Sequence, residues 1–217
     1  LWLSPILLAL PEDTVQLSSW ESHSCVLIDN QVKCWGRNDD GQTNVPPLKN
    51  PKMVSAGAGH TCALDDDGVK CWGKNDDGQT NVPPLKNPKT ISAAENNTCA
   101  LDDNGVKCWG RNDESQTNVP PLKNPKTVSA GRYHTCALDD DGVKCWGRND
   151  DGQTNVPPLK NPKMVSVGES HTCAIDDDGV KCWGWNNNGQ TNVPPLKNPK
   201  MVSVGESHTC AIDDDGV

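Results

Sequence analysis

The sequence predicts an all-β repeat fold, a β-propeller assembled from a 37-residue unit, and three observations carry that reading. The tripeptide Cys-Trp-Gly begins at Cys34, Cys71, Cys108, Cys145 and Cys182, each 37 residues after the one before. The string QTNVPPLKNPK recurs unchanged from Gln42, Gln79, Gln116, Gln153 and Gln190 at the same step. Between these markers no apolar period is long enough for a helix, whereas short apolar runs alternate with turn residues. The units are 16–52, 53–89, 90–126, 127–163 and 164–200, with a partial sixth at 201–217 and an apolar segment at 1–15 ahead of them.

Each element of a unit follows from its residues, as in 53–89. Met53 to Ala56 is a short apolar run closed by Gly57, and His60 to Leu64 and Val69 to Trp72 are two more. The last two are joined by Asp65, Asp66, Asp67 and Gly68, which is turn chemistry. A second turn falls at Asn75, Asp76, Asp77 and Gly78, after which the Pro-rich string is expected to run extended at an edge, because proline donates no ladder hydrogen bond. So short an antiparallel unit cannot bury both faces alone and needs neighbours. Three or four antiparallel strands favour a propeller blade over a solenoid coil, whose strands pair in parallel.

The pattern VSAGxxHTCALDDDGVKCWGxNDDGQ resembles the repeat of the regulator of chromosome condensation (RCC1) family and covers residues 16–217. That resemblance implies a seven-bladed propeller, so five complete blades and a partial sixth read as a fragment or an open arc of the ring. The short period is similar to that of bacterial relatives such as the propeller-type β-lactamase inhibitory protein, which makes enzyme inhibition one implied role. Nucleotide exchange on a small GTPase is another, but the family member that performs it uses an inserted β-wedge, and the unbroken 37-residue step leaves no insertion here. The UV-B photoreceptor of the family carries Trp in the slot filled here by Ala58, Arg132, Glu169 or Glu206, so light sensing is disfavoured.

Composition narrows the function classes. A net charge of −9 disfavours nucleic acid, whose binders present basic faces, and no apolar run is long enough for a membrane span. There are 11 Cys and 8 Trp, a single Tyr and no Phe, the imprint of a few slots copied many times. Cys25, Cys62, Cys99, Cys136 and Cys173 each precede Cys34, Cys71, Cys108, Cys145 and Cys182 by nine residues. Cross-strand disulfides, buried thiols and metal ligation compete for these pairs. Zinc sites use closer spacing, which favours the disulfides. A loop of four residues, 65–68, puts Cys62 opposite Cys71, whereas an Asp67-Gly68 turn leaves the pair diagonal. Each bridge closes a short loop and would contribute about 2.5–3 kcal/mol on the chain-entropy model. Such a density points to an oxidising compartment, extracellular or cell-surface, with the cytoplasm as the alternative. The odd cysteine, Cys210, is expected to have its partner beyond Val217. The start LWLSPILLAL reads either as the remnant of a signal-peptide apolar region or as an apolar strand on the first blade, and Asn96-Asn97-Thr98 is a glycosylation sequon consistent with secretion.

His23, His60, His134, His171 and His208 share one slot and are read as structural, bonded to backbone near a turn, with a metal ring or a pH-sensitive rim as alternatives. The aspartates are read as solvated turns that give an acidic rim able to steer a basic partner, since the ordered ligand positions of a calcium loop are missing. Trp35, Trp72, Trp109, Trp146 and Trp183 are expected to pack between blades. No metal or cofactor is implied, and no unique nucleophile or base suggests an enzyme. The copies differ mainly before the His slot and just after Cys-Trp-Gly, where Lys74, Arg111 and Arg148 give way to Trp185. These positions make Glu95, Asn96, Arg132, Tyr133, Glu169, Trp185 and Glu206 the candidate partner-binding residues, with Tyr133, Arg132 and Trp185 as anchors. The function expected is a non-catalytic scaffold that binds a protein, one with a basic surface. Exchange on a small GTPase and carbohydrate binding are the alternatives.

Overall fold

A computed structural model describes residues 15–217. Every element in it is a β-strand. The sheets are β1 (Gln16–Trp20), β2 (His23–Ile28) and β3 (Gln31–Gly36); β4 (Met53–Ala56), β5 (His60–Asp65) and β6 (Gly68–Gly73); and β7 (Thr90–Ala93), β8 (Asn97–Asp102) and β9 (Gly105–Gly110). They continue with β10 (Thr127–Ala130), β11 (His134–Asp139) and β12 (Gly142–Gly147), then β13 (Met164–Val167), β14 (His171–Asp176) and β15 (Gly179–Gly184), and close with the two-stranded sheet of β16 (Met201–Val204) and β17 (Thr209–Ile212). All pairings are antiparallel, in order inner, middle, outer strand, which is the blade form the repeat predicts. The chain forms two compact units, the first ending at Asn112 and the second beginning at Asp113.

The register settles the cysteine geometry. Asp65 pairs with Gly68 and Cys62 with Cys71, so the loop is Asp66-Asp67, one rung tighter than four residues, and the diagonal alternative does not occur. The five pairs form disulfides, with Cα atoms 4.0–4.1 Å apart, close to the spacing of non-hydrogen-bonded antiparallel partners. Cys210 is a free thiol. Gly68 leaves the turn with φ +117°, and the Asp65 carboxylate caps the turn by accepting the Asp67 N–H at 2.9 Å. The Pro-rich string forms no strand. Asn50 within it takes a left-handed φ of 48°, which bends the chain, and the prolines leave no run of donors for a ladder.

The core lies between blades, where the middle strand of one faces the inner strand of the next. Cys25 and Leu27 pack on Val54 and Ala56; Met53, Cys62 and Leu64 pack on Ile91, Ala93, Ala100 and Trp109; in the second unit Cys136 packs on Val165 and Val167. Burying a side chain of the size of Leu64 or Ile91 contributes roughly 1.5–3 kcal/mol. Polar contacts repeat beside this core. The Ser18 and Ser55 hydroxyls accept the N–H groups of Ala56 and Ala93, each at 2.9 Å. The Gln79 backbone carbonyl accepts both the Thr98 hydroxyl at 3.0 Å and the Trp109 indole N–H at 2.9 Å. Gln42, Gln116 and Gln153 serve Trp72, Trp146 and Trp183 in the same way, so these indoles do pack between repeats. Trp35 differs, being 52% exposed.

The second turn of each repeat is held by its glutamine. The Gln42 Oε1 accepts the Asp40 N–H at 3.0 Å, while Gly41 takes φ +79°. The third repeat places Ser115 in that glycine slot at φ +62°. An L-residue there carries a steric cost that glycine avoids. Ser115→Gly is therefore expected to stabilise the fold by about 0.5–1 kcal/mol after the entropy cost of the added glycine. Urea denaturation would show it as a higher midpoint at unchanged slope, and a lower midpoint would refute the strain.

Candidate binding surface

Each blade has two ends with different chemistry. At the hairpin end lie the Asp66-Asp67 turn and the Pro-rich strap. The Asp65 carboxylate there is buried and accepts the Lys49 N–H at 2.9 Å and the Lys70 ammonium at 2.7 Å. Burial alone would raise its pKa, but Lys70 and the Lys49 and Asp67 N–H groups outweigh that and hold the carboxyl below the usual range. The same balance takes Asp176 to about 2. Asp66 pairs with Lys52 at 2.9 Å and Asp67 with Lys49 at 3.5 Å, so three aspartates meet three lysines. The fourth and fifth repeats do likewise. Most of these pairs are exposed and add little stability, yet they cancel charge.

The expected acidic rim is thus confined to the other end. Every lysine except Lys74 belongs to the hairpin ends and straps, which carry acids in equal number, so the net charge of −9 falls on the loop ends and the first fourteen residues. At the loop end Arg37 reaches Asp39 at 2.8 Å, Lys74 reaches Asp76 at 3.7 Å and Arg148 reaches Asp150 at 2.7 Å. The adjoining Asp40, Asp77 and Asp151 make no ion pair among the described residues.

The two variable stretches of each repeat meet at this loop end. The N–H groups of Lys74, Arg111, Arg148 and Trp185 bond to the carbonyls of Gly59, Asn96, Tyr133 and Ser170 at 2.8–2.9 Å. The glycine of Cys-Trp-Gly makes that approach possible: at Gly73, with φ +100°, a Cβ would lie 2.6 Å from the Gly59 oxygen and 2.9 Å from the His60 Cα.

In the second unit the structure brings several candidate residues together. The Arg132 Nη1 is 2.9 Å from the Glu169 Oε1, its guanidinium lies over the Tyr133 ring at 4.8 Å, and Arg148 lies over the same ring at 5.2 Å. Trp185 is half-buried beside them through its bond to Ser170, and Glu206 is exposed on the neighbouring repeat. Arg148 joins the candidate residues through this contact, and its place after Cys-Trp-Gly, in the slot that Trp185 fills one repeat later, is the sequence signal for it. Glu95 and Asn96 belong to the first unit. Asn96 is buried, its Oδ1 accepting from the Gln79 Nε2 and its Nδ2 donating to the Glu95 Oε1, both at 3.3 Å, so the folded chain does not present the sequon. The segment 1–14 lies outside the described residues. Among the described residues no three His, Cys, Asp or Glu side chains gather as a metal site.

Four of the five histidines bond to a side chain of the next repeat, and His208 is exposed. His60 Nε2 is 2.8 Å from the Thr98 Oγ1, and His23, His134 and His171 reach Thr61, Thr172 and Thr209 at 2.7–2.9 Å. Each threonine spends its one hydroxyl proton on a glutamine carbonyl, so the imidazole must donate from Nε2 and is neutral. The four Nδ1 atoms are buried without a partner. Burial pushes the pKa of His23 and His171 to about 4, and burial with the nearby His23 and His171 pushes His60 and His134 to about 3.

A family model described as the regulator of chromosome condensation (RCC1) repeat matches residues 53–79, 89–116, 126–153 and 164–190. Among solved structures the CRINKLY WD40 ectodomain of the Arabidopsis thaliana receptor kinase ACR4 is 29% identical with a TM-score of 0.73, the match covering 92% of this chain and 76% of that one. The entire ectodomain of the Physcomitrella patens receptor kinase CR4 is 26% identical with a TM-score of 0.76, covering 91% of this chain and 58% of that one. This chain therefore spans less than two thirds of that ectodomain's length. Prp20p of Saccharomyces cerevisiae shares the fold at 17% identity and a TM-score of 0.78, covering 92% and 70%. No curated protein sequence matches significantly.

The histidine spine makes stability pH-dependent. In the unfolded chain these imidazoles bind protons below about 6.5, whereas in the fold they stay neutral until about 4 or 3. Their contribution is complete above the unfolded value and is lost as pH falls through that window. Urea titrations between pH 6.5 and 4.5 are expected to lose about 1.4 kcal/mol per pH unit for each buried histidine. His134→Asn, which installs the residue of the third repeat, is expected to make that slope shallower; an unchanged slope would rule the assignment out.

Proposed function

The chain belongs to the regulator of chromosome condensation (RCC1) repeat family, and on that premise we propose a non-catalytic, protein-binding β-propeller that works outside the cell or at its surface. The observation that carries this reading is the segregation of change. From the second repeat on, the framework is copied almost without alteration, while the departures collect at the loop ends of the blades. Loops held by a rigid scaffold are where recognition usually sits. The hairpin ends are occupied by their own Lys-Asp pairing, which leaves the loop ends as the surface that differs from repeat to repeat.

The five disulfides favour an oxidising compartment, and the two more similar relatives are receptor-kinase ectodomains. The yeast relative Prp20p is described with its binding to Gsp1p and histones. That supports protein recognition as a habit of the fold. Fold alone does not select the partner.

Two measurements test the proposal. Thiol titration of denatured, unreduced protein recovered from an oxidising compartment is expected to find the ten paired cysteines protected; all of them reactive would overturn the extracellular reading. Hydrogen exchange with a peptide selected from a random displayed library is expected to slow amides in loops 57–59, 94–96, 131–133 or 168–170. Protection confined to the hairpin turns, or a library yielding no binder, would refute loop-end recognition.

A further inference from the structure

We infer that the loop ends of the fourth to sixth repeats hold a basic polypeptide segment, with Tyr133 and Trp185 as its two aromatic anchors. The inference rests on the protein-binding reading above and specifies its occupant. The repeats act as internal controls. The Tyr133 slot is Ser22, Gly59, Asn96, Ser170 or Ser207 elsewhere, and the Trp185 slot is Arg37, Lys74, Arg111 or Arg148. An aromatic therefore appears once in each slot, in neighbouring repeats.

The two land on one continuous surface. The Arg132 N–H bonds to the Gly168 oxygen at 3.4 Å and its guanidinium to Glu169 at 2.9 Å, while the Trp185 N–H bonds to the Ser170 oxygen at 2.9 Å. Loop 131–133, loop 168–170 and residue 185 are thus joined by hydrogen bonds. Tyr133 is fixed in place by the two guanidinium groups over its ring, at 4.8 and 5.2 Å. An aromatic ordered before binding loses little entropy on association, which is what an anchor requires.

Charge selects the occupant. In the sister repeats the cation of the Trp185 slot folds back onto the acid two residues on, as Arg37 does with Asp39, Lys74 with Asp76 and Arg148 with Asp150. The fifth repeat has Trp185 there, followed by Asn186, Asn187 and Asn188, so the cation and the acid it would fold onto are both replaced and an aromatic face stands free of an ion pair. With no neighbouring cation to compete for it, that indole face takes a partner's Lys or Arg through a cation–π contact. Arg132 and Arg148 are already paired with Glu169 and Asp150, whereas Asp151 and the exposed Glu206 make no ion pair among the described residues, so the surface stays acidic around the two rings.

The test uses twelve-residue random peptides displayed against the folded chain, then synthesised and titrated. Selected peptides are expected to be rich in Lys and Arg and to bind less tightly as NaCl is raised. Trp185→Arg and Tyr133→Ser, each installing a residue that sister repeats carry and so preserving the fold, are expected to weaken them about tenfold or more. Lys126→Gln at a hairpin end is expected to change affinity less than about twofold. Neutral or acidic peptides, or basic ones indifferent to Trp185→Arg at an unchanged melting temperature, would overturn the inference and leave protein binding standing. A library yielding no binder would remove both.

Discussion

One backbone carbonyl in each repeat, that of the glutamine opening QTNVPPLKNPK, is the contact on which the architecture depends. It accepts a threonine hydroxyl and a tryptophan N–H from the following repeat, and the threonine accepts in turn from the preceding repeat's histidine. Three polar groups that would each be costly to bury alone satisfy one another between two sheets. None of them finds its partner inside its own repeat. The single 37-residue unit is therefore incomplete in hydrogen bonding as well as in apolar burial.

This arrangement marks where sequence reasoning succeeds and where it stops. Strands, turns and the Cys62–Cys71 register follow from local chemistry, since both members of each interaction lie within one hairpin. The histidine partner does not, because Thr98 is 38 residues from His60 and nothing local points to it. The same holds for charge. Asp65, Asp66 and Asp67 look like an acidic rim until the strap of the preceding repeat brings Lys49 and Lys52 onto them. The sequon at Asn96 fails for a related reason, being buried against Gln79 of the repeat before. Of the binding surface, the differing positions were visible in the sequence, while the stacking of Arg148 on Tyr133 needed the fold that places residue 148 opposite residue 133.

The disulfides and the histidine spine divide the work of holding a blade. Each bridge ties middle to outer strand within a sheet, while the histidine and serine contacts tie one sheet to the next. Asn97 is the exception, buried in the histidine slot with both amide atoms unpartnered. The third repeat thus keeps its bridge, Cys99–Cys108, and lacks the histidine, so the two devices are independent.

That division explains why recognition collects at one end. The hairpin end cannot vary freely, because each aspartate there is committed to a lysine or a backbone N–H of a strap that every repeat copies unchanged. Replacing Lys70 would strand the buried Asp65 carboxylate of its own hairpin, at the cost of an unpaired buried charge. At the loop end the bond that closes each pair of loops uses backbone atoms available to any side chain. Positions whose structural duty is met by the backbone are free to acquire a side chain for a partner. Tyr133 and Trp185 occupy two such positions, and each bonds through its backbone as its smaller or charged counterparts do.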